Sequence, residues 1–161
     1  MRFNTSKSLY QDYIGSSHIS RFIHPASLET LTKNAVKVMR SKGFKKLYPE
    51  FDTIAFSGYS GALIAPMLAL ATGKEMVLVR KQGEVRASSY DVEGYRDVKK
   101  YIIVDDFVCS GDTARRIHKG IQTFAPDAKC LGVLSVQELV GTELGYTSRT
   151  GLEDVRGVTN V

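Results

Sequence analysis

Short apolar runs alternate along the chain with longer segments in which apolar residues recur every three or four positions. The helix-like segments run from Ser27 to a stop at Gly43, from Ala62 to Thr72, and from about Asp112 to Pro126. The third of these would carry Ile117, Ile121 and Phe124 on one face. The strand-like runs are Thr53–Phe56, Met76–Val79, Tyr101–Val104 and Cys130–Val136.

This alternation predicts an α/β fold, in which a parallel sheet is flanked by helices. A length of 161 residues fits one domain, so residues 1–161 are expected to form a single unit. Residues 82–97 are polar and show no clear period, and so long an irregular segment in a compact domain is typical of a lid over a site. The pattern assigns no element to residues 1–25 or to the tail from Gln137.

Composition narrows the classes of function. The chain has 22 Lys+Arg against 17 Asp+Glu, a net charge of +5 that suits an anionic ligand. No basic cluster is interleaved with aromatic residues, which argues against nucleic-acid binding. Cys109 and Cys130 have neither metal nor disulfide spacing, as is typical of a cytoplasmic protein. The apolar stretch from Ala62 to Ala71 is far shorter than the roughly 20 residues of a membrane helix, so no membrane partner is expected.

The richest chemistry follows the strand Tyr101–Val104. Two carboxylates, Asp105 and Asp106, come directly after it and could accept hydrogen bonds from sugar hydroxyls or hold a hydrated cation. The segment Ser110–Thr113 then opens a helix, and its backbone amides and hydroxyls form a natural cup for a phosphate. A diol-binding pair beside a phosphate cup predicts a site for a ribose 5-phosphate group.

The segment Val104–Thr113 resembles the phosphoribosyl pyrophosphate signature of type I phosphoribosyltransferases: an apolar run, two acids, two apolar residues, and a small-residue loop that ends in Gly and Thr. The resemblance extends over about residues 53–136. Arg80–Glu84, directly after a strand, is similar to the opening of the catalytic lid in the adenine and orotate enzymes. Tyr90–Tyr95 is similar to the far end of the lid in the adenine enzymes.

This resemblance implies the type I phosphoribosyltransferase fold with a small hood. It also implies a reaction in which a nitrogenous base displaces pyrophosphate from phosphoribosyl pyrophosphate. The acids Asp105 and Asp106 would bind the ribose hydroxyls and organise magnesium. The 5-phosphate would be held by Cys109, Ser110, Gly111, Asp112 and Thr113. The pyrophosphate would lie against Ser57, Gly58, Tyr59 and Ser60, and Arg80 and Lys81 would approach it as the lid closes. Phe107 would stack on the base, or serve as ordinary core.

The sequence also departs from the family pattern. Ser57 stands where many relatives have Arg or Lys, which weakens the expected contact with an anion, and Asp112 places a carboxylate beside the phosphate cup. These two features favour an alternative, a non-catalytic regulator of the same fold that binds phosphoribosyl pyrophosphate or a nucleotide. The intact Arg80-Lys81 pair favours the enzyme. The lid resemblance favours a purine as the base, and because relatives are commonly dimers, a homodimer is expected.

The acid/base group stays open among Glu84, Asp91 and Glu93.

Overall fold

The structure is a computed structural model, and it describes residues 25–42, 45, 50–81, 83, 89–105 and 111–135, apart from the side chains at positions 26, 27 and 38. The helices in this part of the chain are α1 (Pro25–Arg40), α2 (Gly58–Thr72) and α3 (Asp112–Gln122). The strands are β1 (Thr53–Phe56), β2 (Glu75–Val79), β3 (Val92–Gly94), β4 (Lys100–Asp105) and β5 (Lys129–Ser135). No helix in the described ranges is long and apolar enough to cross a membrane.

The five strands form one sheet in the order β3-β2-β1-β4-β5. The neighbours from β2 to β5 pair in parallel, as the sequence predicts. β3 pairs antiparallel to β2, inside the segment that the sequence pattern left irregular. The sequence could not reveal β3, because three residues are too few to show a period. Backbone hydrogen bonds from Arg80 N to Asp91 O and from Tyr95 N to Met76 O, each 2.9 Å, flank its pairing with β2.

Each of the three predicted helices has a boundary that the structure corrects. α1 begins at Pro25 instead of Ser27, since proline lacks the N–H that the first turn of a helix leaves unpaired anyway. α2 begins at Gly58, four residues earlier than predicted, so most of the expected loop is the first turn of this helix. α3 ends at Gln122, which leaves Phe124 beyond the helix and 38% exposed.

Two apolar clusters cover the two faces of the sheet, because successive side chains of a strand point to opposite sides. Ile102 and Val104 of β4 pack with α1 and α2, whereas Tyr101 and Ile103 of the same strand pack with α3. The middle strands are therefore buried on both faces, as parallel strands between helices require.

Candidate functional site

The strand order places a topological switch point between β1 and β4. From β1 the chain winds through α2 to β2 on one side, and from β4 it winds through α3 to β5 on the other. Ligands of open α/β sheets bind in the crevice at the carboxyl ends of strands at such a point. Ser57 directly follows β1, and Asp105 is the last residue of β4. The sequence-predicted residues of two separate motifs therefore lie at one edge of the sheet.

Asp105 is well positioned but not freely accessible. Its side chain is 7% exposed, and it pairs in register with Ser135 at the end of β5, which is also buried. A carboxylate buried at the end of a paired strand has little freedom to change direction, as a sugar-binding group requires. Four further predicted site residues, Asp106, Phe107, Cys109 and Ser110, lie outside the described residues.

The start of α3 has the geometry expected of a turn that approaches a ligand. Gly111 precedes the helix with φ +77°, a left-handed conformation that side chains rarely adopt. Asp112 occupies the first turn, and its carboxylate accepts a hydrogen bond from Arg115 at 2.6 Å. Since its side chain is 75% exposed, the Asp112 carboxylate faces solvent and its own helix. Thr113 beside it is half-buried.

Lys81 lies against the first turn of α2. A Cβ built on Gly58, whose φ is +67°, would fall 3.3 Å from the Lys81 Cε and 3.4 Å from its Nζ. The structure therefore brings together the lid lysine and the loop that the sequence assigned to pyrophosphate. A helix N-terminus already carries partial positive charge, so an ammonium group beside it creates a place where an anion is favoured. Tyr59 in the same turn is 79% exposed and Ser60 is half-buried.

Arg80 is engaged elsewhere. Its guanidinium donates to Glu93 on β3, with both Nε and one terminal nitrogen 3.1 Å from the carboxylate Oε1. This ion pair joins the end of β2 to the antiparallel edge strand. It also occupies Glu93, one of the three acid/base candidates. Of the other two, Asp91 is exposed and position 84 lies outside the described residues.

The sequence reasoning missed Arg116. From α3 its terminal nitrogen donates to the Ser57 Oγ at 3.1 Å, across the end of β1. Its Nε is buried and has no hydrogen-bond partner in the described part of the chain. The sequence feature that could have indicated Arg116 is its position next to Ile117, at the edge of the buried face of the helix that begins at the phosphate cup.

The described residues at this edge of the sheet offer one carboxylate that could bind magnesium. Among the described residues no three His, Cys, Asp or Glu side chains group closely enough to hold a metal by themselves. Magnesium does not require such a group, because it commonly binds one or two carboxylates together with water and phosphate oxygens. Asp105, at the strand end, is a donor of that kind.

Comparison with known proteins supports the predicted resemblance. No protein-family model matches the chain. Adenine phosphoribosyltransferase of Bifidobacterium animalis subsp. lactis (strain AD011) is 31% identical over 120 residues, which cover 65% of this chain and 59% of that protein. The chain spans between 42% and 59% of the length of the curated relatives it matches.

Two solved structures show the same fold. Adenine phosphoribosyltransferase from Saccharomyces cerevisiae, complexed with an imino-altritol bisphosphate and adenine, superimposes with a TM-score of 0.53 at 24% identity, over 71% of this chain and 70% of that chain. Orotate phosphoribosyltransferase from Aeropyrum pernix gives a TM-score of 0.54 at 16% identity, over 77% and 70%. The fold is thus that of type I phosphoribosyltransferases, and the resemblance stated from the sequence is confirmed.

Proposed function

We propose that this protein transfers the 5-phosphoribosyl group from phosphoribosyl pyrophosphate to a nitrogenous base and releases pyrophosphate. The observation that carries the proposal is the location, at the same edge of the sheet, of the Asp105 carboxylate at the end of β4 and of the Lys81 ammonium beside Gly58 at the start of α2. One group suits a sugar and the other suits a departing anion.

The charges match what this reaction demands. As the bond to the leaving group breaks, the anomeric carbon becomes positive and the pyrophosphate gains negative charge. Asp105 and Asp106 would stabilise the sugar and orient its hydroxyls, while Lys81 and the amides of the first turn of α2 would bind the leaving group. Asp105 and Asp106 would hold magnesium, which would supply Lewis-acid stabilisation of the leaving group.

The other end of the substrate would bind at the start of α3. In this proposal Cys109, Ser110, Gly111, Asp112 and Thr113 hold the 5-phosphate, and the left-handed Gly111 lets the backbone approach it closely. Because the Asp112 carboxylate is turned towards Arg115, the backbone amides can face the phosphate without a carboxylate beside them.

A purine is the proposed base, and adenine is the first choice. This choice is supported by the similarity to two adenine phosphoribosyltransferases, one of them complexed with adenine. Phe107 is the residue proposed to stack on the heterocycle. The lid carries Arg80 and Lys81. We propose that Arg80 leaves Glu93 and joins Lys81 on the pyrophosphate when substrate binds.

The remaining parts of the proposal concern the whole protein. We propose one domain over residues 1–161 that acts in the cytoplasm as a homodimer. The uncharged helix α2 supports the dimer, because it leaves an apolar stripe exposed on one face: Tyr59, Ala62, Pro66 and Leu70.

A non-catalytic regulator of the same fold is the second candidate. The Arg80–Glu93 ion pair favours it, since this contact withholds one of the two lid cations from the site. Such a protein would bind phosphoribosyl pyrophosphate without turnover.

The test is pyrophosphate release from phosphoribosyl pyrophosphate with magnesium and a panel of purine and pyrimidine bases. We expect turnover with a purine, and a loss in kcat of about 100-fold or more in Asp105→Asn, because the substitution removes negative charge near the developing cation. Asp127→Asn is the matched control, since this exposed aspartate lies in the turn before β5. Tight binding of the activated sugar without turnover on any base would favour the regulator. Absence of both binding and turnover would contradict both functions.

A further inference from the structure

Ser57 stands where the family pattern has Arg or Lys, and the Arg116 side chain contacts this serine from α3. We propose that Arg116 is a pyrophosphate-binding residue, which supplies from α3 the positive charge that the turn after β1 lacks. The inference rests on the proposed function for the location of the pyrophosphate, and the residues and contacts that support it are independent of catalysis.

The first observation is the unusual use of Ser57. This residue is the N-cap of α2, yet its side chain makes no capping hydrogen bond. Serine at this position ordinarily accepts a bond from an amide of the first turn. Here the Oγ accepts from the Arg116 guanidinium at 3.1 Å instead. The amides at the start of α2 are therefore left without the side-chain cap, as an anion site at a helix N-terminus requires.

The second observation is the state of the guanidinium. Among the described residues its Nε is buried without a hydrogen-bond partner, and no carboxylate pairs with the side chain. An arginine cannot lose its proton in a protein, so it must carry its charge into this environment. A partly buried charge without a counter-ion is costly, and a ligand anion would remove that cost.

The third observation is the arrangement of cations around one helical turn. Arg116 reaches the Ser57 hydroxyl at the start of the turn, and the Lys81 Nζ lies close to Gly58, the next residue. Two cations beside one set of open amides match a ligand with two adjoining phosphoryl groups. The planar fork of an arginine also suits bidentate binding of phosphate oxygens.

The neighbouring arginine does not share this arrangement. Arg115 points to the exposed side of α3 and pairs with Asp112 at 2.6 Å. Adjacent arginines on the same helix therefore have different surroundings: Arg115 pairs with a carboxylate, and Arg116 reaches the candidate site without one among the residues that the structure describes.

The experiment measures two ligands separately on the full chain. Isothermal titration calorimetry with inorganic pyrophosphate and magnesium is compared with titration of ribose 5-phosphate. We expect Arg116→Gln to weaken pyrophosphate binding by about 10- to 100-fold, the effect of losing charge-assisted hydrogen bonds. Binding of ribose 5-phosphate should stay within about twofold, because that group is assigned to the start of α3.

Two further variants separate charge from geometry and from folding. Lys119→Gln removes the same unit charge from an exposed position one turn along α3, and it should leave both affinities within about twofold. Arg116→Lys keeps the charge but loses the fork, and it should fall between Arg116→Gln and the wild type. It also remains informative if Arg116→Gln does not fold, which circular dichroism would reveal.

Unchanged pyrophosphate affinity in Arg116→Gln, or an equal loss for both ligands in a folded variant, would overturn the inference. The first result would show that the guanidinium does not bind the anion, and the second that it acts only on the structure. If the wild type turns over substrate but pyrophosphate binding ignores Arg116, this inference fails and the proposed function stands. If pyrophosphate binding depends on Arg116 but no base supports turnover, the inference stands and catalysis fails.

Discussion

The two faces of the sheet are covered by different kinds of side chain. The side covered by α1 and α2 is closed by hydrocarbon, and α2 has no charged residue along its 15 positions. The side covered by α3 is equally buried but includes polar groups. Its core includes the Tyr101 ring, whose hydroxyl contacts His118 Nδ1 at 2.5 Å, and the partly buried Cys130 packs against it.

This difference explains how each side serves the candidate site. α2 contributes mainly the start of its backbone, where Gly58 allows close approach, and its apolar body anchors that turn against the sheet. α3 contributes side chains as well, since Arg116 extends from it to the end of β1. The α2 side therefore supplies an apolar anchor and backbone amides to the candidate site. The α3 side supplies a charged side chain, Arg116.

The largest effect is expected where the hydrocarbon side is broken. Leu68 of α2 is fully buried, and Leu68→Ala should lower the free energy of unfolding by about 2–5 kcal/mol through lost transfer energy and a residual cavity. Because its core cluster is apolar throughout the described residues, the loss should be the same at pH 7.5 and pH 5.5. Urea unfolding at the two pH values measures it.

The matched control lies two residues further along the same helix. Leu70 is 89% exposed in the single chain, so Leu70→Ala, measured on the monomer at low protein concentration, should change the free energy of unfolding by no more than about 0.5 kcal/mol. A loss for Leu68→Ala that depends strongly on pH would contradict the view that this side is purely apolar.

A smaller effect is expected where α3 approaches the sheet closely. A Cβ added at Gly120 would lie 2.7 Å from Val79 Cγ1, too close for the stiff valine to accommodate without a shift. Overpacking of this kind costs about 1–3 kcal/mol, partly offset by the roughly 1 kcal/mol by which alanine exceeds glycine in helix propensity. Gly120→Ala should therefore be net destabilising in thermal or urea unfolding.

The double variant with Val79→Ala provides the check. If close contact is the cause, the double variant should be less destabilised than the sum of the two single variants. Strict additivity would mean that the approach of α3 to β2 is looser than the structure shows.

Much of the fold was predictable because its signals are local. The apolar runs of β1, β2, β4 and β5 are long enough to show their pattern, and their alternation with helices implies parallel pairing. β3 was not predictable, because a three-residue edge strand is defined by its partner β2 and not by its own composition. The early start of α2 was hidden by the glycines and serine of its first turn, which favour a loop when local sequence alone is considered.

Some residues of the candidate site were likewise predictable from the sequence and others were not. Asp105 ends β4 and Lys81 comes two residues after β2, so their positions at the carboxyl edge follow from the topology. Arg116 could not be assigned from the sequence, because its contact with Ser57 joins positions 59 residues apart. Only the packing of α3 on the sheet brings the guanidinium to the end of β1.

The pair Tyr101–His118 makes the α3 side sensitive to pH. Burial raises the pKa of the Tyr101 hydroxyl, which therefore stays protonated. This hydroxyl donates to His118 Nδ1 in the tautomer that carries the ring proton on Nε2. Burial likewise lowers the pKa of His118 below its ordinary value of 6.5. The nearby Cys130 thiol is kept neutral as well, since burial raises its pKa to about 11.

The smallest predicted effect follows from the sign of the His118 shift. Below pH 6.5 the unfolded chain takes up a proton at this histidine more readily than the folded protein does, so stability falls as the pH drops towards the folded pKa. Well above pH 6.5 the histidine is neutral in both states and the contribution is constant. His118→Gln should therefore lose less stability than the wild type between pH 7.5 and pH 5, as measured by urea unfolding. In Tyr101→Phe, which keeps the ring that helps bury the imidazole, the His118 pKa followed by NMR should stay below 6.5. A wild-type His118 that titrates above 6.5 would reverse the sign and contradict this account of the α3 side.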